Sequence, residues 1–121
     1  MDKIIYPELS YLITGLCFSV QKNLGRFARE KQYSDALEKT LKNTQVHYER
    51  EKIIGDFAEG NRADFIIENK IILEIKSIPY ITKKEYYQIQ RYLKASNLKL
   101  GMIINFRSEY LKPKRVVNSN V

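Results

Sequence analysis

The stretch Arg62-Ala63-Asp64-Phe65-Ile66-Ile67-Glu68-Asn69-Lys70-Ile71-Ile72-Leu73-Glu74-Ile75-Lys76 decides how this chain folds. Two β-like apolar runs, Ala63 to Ile67 and Ile71 to Ile75, meet at the polar connection Glu68-Asn69-Lys70, the layout of a hairpin. Asp64 lies in the first run. Glu74 and Lys76 lie two apart in the second, so period-2 alternation puts them on one face. Ile71, Ile72, Leu73 and Ile75 crowd the same strand and leave neither face wholly polar. Two carboxylates and an ammonium on adjacent apolar strands are costly to desolvate unless a cation or a substrate lies between them. The alternative is a solvated hairpin with a surface Glu-Lys pair, which is worth little.

Outward from the hairpin, helices and strands follow from periodicity. Leu9, Leu12, Ile13, Leu16, Cys17, Val20 and Leu24 recur at helical spacing, with Pro7 near the start and Gly25 just past the end. A second helix is expected with Glu30, Tyr33, Leu37 and Leu41 on one stripe, which would turn Glu30 inward. Gln45 to Ile54 reads as a strand closed by Gly55-Asp56, and residues 57–61 as a turn. Beyond the hairpin, a helix is expected at about 83–96, carried by Tyr86, Ile89 and Leu93. Leu98 to Phe106 makes a buried strand, and Lys112 to Val117 adds a short edge strand. The order is α-α-β-β-β-α-β-(β).

With 121 residues the chain is expected to form one domain, residues 1–121. A hydrophobic fraction of 44% and a mean hydropathy of -0.42 describe a soluble globular protein. The net charge of +7 and pI of about 9.5 favour a polyanionic partner such as nucleic acid. The lone Cys17 excludes an internal disulfide and a thiolate zinc site, and the lone His47 cannot anchor a histidine-rich one. No secretory leader and no membrane span of about 18 apolar residues is expected; a bacterial-type cytoplasm or a nucleus would suit, and cytoplasmic is the reading.

Asp64 and Glu74 together could hold a hard divalent cation through oxygen ligands, as magnesium or manganese prefers. Lys76 would point at the same place and stabilise charge building on a phosphate. Glu30 is a third carboxylate, or a helix N-terminal glutamate serving the macrodipole. Gln88 and Tyr92, at i and i+4, are neighbours that either contact a phosphate or form a plain polar patch. Lys83, Lys84 and Arg91 crowd the same helix, as approach charges for a phosphate backbone or as solubilising charge.

These residues together resemble the small GxxExxY proteins, a branch of the PD-(D/E)xK nuclease-like superfamily. The resemblance runs from the first helix through Asn105-Phe106. It is carried by Leu24-Gly25, Glu30-Lys31-Gln32-Tyr33, Arg62-Ala63-Asp64, Glu74-Ile75-Lys76, Gln88 with Tyr92-Leu93, and Gly101 to Phe106. One position departs from the pattern: the glycine three before the motif glutamate is Phe27 here.

The resemblance implies an α/β fold of the α+β kind, a restriction-endonuclease-like core with a central mixed sheet of four to five strands flanked by helices. It implies Glu30, Asp64, Glu74 and the backbone carbonyl of Ile75 around magnesium or manganese, with Lys76 as the catalytic lysine. The expected function is a metal-dependent phosphodiesterase in which an activated water attacks a backbone phosphate, with DNA expected over RNA. Gln88, Tyr92, Lys83, Lys84 and Arg91 would bind substrate, and a homodimer is one assembly the resemblance allows. The competing reading is a non-cleaving nucleic-acid-binding or protein-interaction module of the same fold, serving a repair or defence complex.

Overall fold

The computed structural model describes residues 4–55 and 61–121. Of the turn expected at 57–61 only Asn61 is therefore described. The elements run α1 (Pro7–Leu24), α2 (Glu30–Lys42), β1 (Tyr48–Ile53), β2 (Arg62–Ile67), β3 (Ile71–Lys76), α3 (Lys83–Ser96), β4 (Leu100–Asn105) and β5 (Lys114–Val117). The five strands lie side by side in sequence order. All neighbours are antiparallel except β3 and β4, which are parallel and joined through α3. This is the mixed, helix-flanked sheet expected of a restriction-endonuclease-like fold.

Local chemistry sets the ends of α1 and the start of α3. Pro7 opens α1, where its missing N–H costs nothing, and Gly25 closes it with φ 78, a left-handed value that suits glycine. Thr82 caps α3 in a capping box: Lys84 N–H donates to Thr82 Oγ1, and Thr82 N–H donates to Glu85 Oε1 at 2.9 Å. The β2–β3 turn places Glu68 and Asn69 in the left-handed region, φ 53 and 56, which matches the twist of a tight hairpin. The first strand is shorter than the sequence suggests. It begins at Tyr48, because Thr44 Oγ1 accepts the Val46 N–H and holds that segment in a turn.

Both faces of the sheet are covered. Ile13, Cys17 and Val20 of α1 and Tyr33, Leu37 and Leu41 of α2 pack on one face against Phe65, Leu73, Ile75 and Ile104. Ile89, Tyr92 and Leu93 of α3 pack on the other against Ile66, Ile72 and Ile103. The central strands are consequently apolar on both sides, and every residue of β4 is buried. Leu12 and Leu24, read as part of the apolar stripe of α1, face solvent instead. Gly101 lets α3 lie close to β4: a Cβ there would come within 2.6 Å of Ile89 Cδ1. Among the described residues no helix is long and apolar enough to cross a membrane.

The two outer strands are guarded by charge. β1 carries Glu49, Arg50, Glu51 and Lys52, and Glu51 adopts φ 55 in the middle of the strand. β5 carries exposed Lys114 and Arg115.

Candidate active site

The hairpin register brings Phe65 opposite Leu73, Ile66 opposite Ile72 and Ile67 opposite Ile71. Continued by one pair, it sets Asp64 opposite Glu74, and there the ladder gives way. Asp64 N–H donates to Glu74 Oε2 at 3.0 Å, and Ile75 N–H donates to Asp64 Oδ2 at 2.7 Å. Each carboxylate thus takes a main-chain donor that a strand carbonyl would otherwise receive. The pair wedges the mouth of the hairpin.

Glu74 is only 4% exposed, whereas Asp64 is half-buried. Burial first, and then the charge and side-chain hydrogen bond of Asp64, push the Glu74 carboxyl up from 4.5 to about 9. Lys76 opposes this only weakly. At neutral pH the Glu74 carboxyl therefore keeps its proton, hydrogen-bonded to Asp64.

Lys76 lies on the same face, and its Nζ donates to Gln88 Oε1 at 3.2 Å. Lys76, Gln88, Lys84 and Arg91 line a cleft of about 410 Å³ together with Glu30 and Glu85. Lys84, Gln88 and Arg91 share one side of α3 because they recur at four and three residues. Lys83 is exposed but turned off that side, outside the cleft lining. Glu30, Asp64, Lys31, Ser34, Arg50 and Glu51 line a second cleft of about 250 Å³. Glu30 lines both, and its carboxylate accepts the Ser77 N–H at 3.3 Å.

Two expectations need correction. Glu30 is exposed rather than turned inward, although Tyr33, Leu37 and Leu41 are buried as expected. It is the first helical residue and overhangs the end of the core. Among the described residues no three histidine, cysteine, aspartate or glutamate side chains form a metal-holding group, although Glu30 and Asp64 line the second cleft together. Tyr92, expected as a partner of Gln88 in substrate contact, is 5% exposed. Its hydroxyl takes a hydrogen bond from the Arg62 main chain, and burial, then Glu74, push its pKa up. It backs the carboxylates from within.

Several groups have supporting roles that their place in the sequence does not reveal. Asn105 is buried and brackets Ile78, accepting its N–H at 3.1 Å and donating to its carbonyl at 2.8 Å, which fixes the segment that leaves Lys76. Tyr33 stacks on Phe106 with ring centroids 4.2 Å apart. Its hydroxyl donates to Gly25 O and accepts from Ala28 N–H, so it fixes the loop that delivers Glu30. Arg50, which enters the second cleft, is held by Asp35 at 2.8 Å and Glu38 at 3.0 Å. The run Tyr48-Glu49-Arg50-Glu51-Lys52 reads only as a strand, and nothing in it signals that placement.

Chemically, Asp64 and Glu74 suit a hard divalent cation. A strand residue's N–H and C=O point to the same side, so the Ile75 carbonyl shares the edge where its N–H meets Asp64. Two carboxylates and a carbonyl are oxygen donors of the kind magnesium and manganese take. The proton held by Glu74 is one that a cation could replace.

A mixed sheet covered on both faces, opened at its antiparallel hairpin around two carboxylates and a lysine, marks a restriction-endonuclease-like protein. Residues 7–117 match the PD-(D/E)XK nuclease superfamily, and the chain belongs to it. Membership supports nuclease-type chemistry with nucleic acid as the substrate. No curated protein and no solved structure matches the chain.

Proposed function

We propose that this protein is a metal-dependent phosphodiesterase that cuts nucleic acid, within the GxxExxY branch of its superfamily and acting as one catalytic domain. The observation that carries the reading is the Asp64–Glu74 pair at the splayed mouth of the hairpin, its glutamate buried, with Lys76 on the same face. A structural pair has little reason to keep a carboxyl this far out of water beside a second one.

Asp64, Glu74 and the Ile75 carbonyl would hold magnesium or manganese, and Glu30, which lines a cleft with Asp64, would complete the set by giving up the Ser77 N–H it accepts. When bound, the cation supplies positive charge to the phosphate oxygens and acidity to the attacking water. The protein's own groups do the rest. Gln88 orients the Lys76 ammonium, which stabilises the charge that grows on the phosphate as it is attacked. Lys84 and Arg91 draw the backbone into the cleft. DNA is the substrate we favour.

The test is cleavage of single-stranded, duplex and branched DNA and of RNA, with magnesium or manganese. Lys76→Ala should lose ~10²–10³ in rate, the usual cost of one well-placed charge contact, while binding largely survives. Robust cleavage by Lys76→Ala, or none by the natural protein on any substrate, would overturn the proposal.

A further inference from the structure

Phe27, which stands where the GxxExxY pattern that the chain resembles has glycine, is 74% exposed. Its setting is rigid and charged. The loop carrying it is tied at Gly25 O and Ala28 N by the Tyr33 hydroxyl. The Arg26 guanidinium lies 5.2 Å from the centre of its ring, and that of Arg107 lies 5.5 Å away. These arginines are themselves tethered: Arg26 Nε donates to Arg107 O at 2.9 Å, and Arg107 donates to Ser77 O at 3.2 Å. The loop also meets the site directly, because Ser77 Oγ donates to Ala28 O at 3.0 Å. Phe27 is therefore one residue from a main-chain anchor of the residue that follows Lys76.

We infer that Phe27 is a stacking platform for one unpaired base of the strand whose phosphate lies at Lys76. The inference rests on the phosphodiesterase reading and adds the substrate class: single-stranded nucleic acid, or a frayed or looped end. An aromatic face accepts any base, and nearby guanidinium planes add charge for the phosphates and cation–π attraction. A ring held on a fixed loop loses little freedom on binding. A base inside a duplex is already stacked and paired, so the platform favours strands whose bases are free. The duplex keeps only the phosphate contacts.

The experiment is equilibrium binding in EDTA at low salt, where nothing is cut, followed by fluorescence anisotropy of labelled oligonucleotides. The panel is a single strand, its duplex, and the same single strand with abasic sites throughout. Loss of one base stack should weaken single-strand binding roughly tenfold or more. Phe27→Ala should show that loss on the single strand and almost none on the duplex or the abasic strand. Phe27→Trp should keep the affinity, which sets stacking apart from a folding defect. Equal single-strand affinity for Phe27→Ala and the natural protein overturns the platform, and the phosphodiesterase reading then stands or falls on Lys76→Ala alone. An equal loss on all three oligonucleotides also overturns it, since that pattern belongs to the phosphates. Absence of any binding by the natural protein overturns it too, because the ring and its arginines need no metal.

Discussion

Replacing Glu74 by glutamine tests the electrostatics of the carboxylate pair directly. In the metal-free protein the buried Glu74 carboxyl holds its proton up to about 9 in pH, against 4.5 for its ordinary value. An unfolded chain releases that proton near 4.5. The native state thus binds more protons between these limits, and its stability is full below about pH 4.5 and falls as pH rises towards 9. Each unit of pH across that window costs ~1.4 kcal/mol, so at pH 7 the penalty is about 3 kcal/mol. Glutamine does not titrate, and its Nε2 can donate to Asp64 where the Glu74 proton did. Glu74→Gln should therefore stabilise the metal-free protein by up to ~3 kcal/mol at pH 7, with the gain vanishing towards pH 4.5. Urea unfolding at pH 4.5, 7 and 9 in EDTA measures this. Repeating it with magnesium should reverse the order, because only the natural protein gains by binding. A variant less stable at every pH by a constant amount would refute the argument, and equal stabilisation of both proteins by magnesium would remove Glu74 from the metal site.

Magnesium binding at pH 7 should release close to one proton per ion, because the cation displaces the one Glu74 holds; calorimetry in buffers of different ionisation enthalpy reads it, and zero release would contradict a protonated Glu74. Glu30→Gln should weaken magnesium affinity several-fold while shifting the urea midpoint little, since the side chain is exposed; unchanged affinity would take Glu30 out of the set. Gly101→Ala should cost about 1–3 kcal/mol by driving a methyl into Ile89, measured by thermal or urea unfolding, with an unchanged stability counting against the close approach of α3 to β4.

Reading the sequence recovers the sheet and its helices because the apolar periods are long and consistent, and it recovers the Asp64–Glu74 pairing because a three-residue polar turn leaves one register for the hairpin. It misplaces Glu30 for a geometric reason. A stripe at helical spacing assigns a direction around the axis, but it does not say where the core stops along that axis, and Glu30 lies past the stop. Tyr92 misleads because tyrosine is an apolar body with a polar tip, so its spacing from Gln88 suits either a cleft or a core. Arg50, Asn105 and Arg107 depend on contacts across distant elements, which no local pattern records. The short final strand is present but starts two residues later than its sequence suggests, because Pro113 has no N–H to donate and pairing begins at Lys114.

The charged outer strands bear on how the molecule behaves in a crowd. An open sheet offers its outermost main-chain groups to any passing strand, and long flat edges invite stacking into fibres. Here Glu51 interrupts the extended run of β1 with its left-handed backbone, and alternating charges flank it. At the far side β5 is four residues long and presents Lys114 and Arg115 to water. An incoming strand would have to desolvate those charges on either side. Copies of this protein are thereby steered away from joining sheet to sheet.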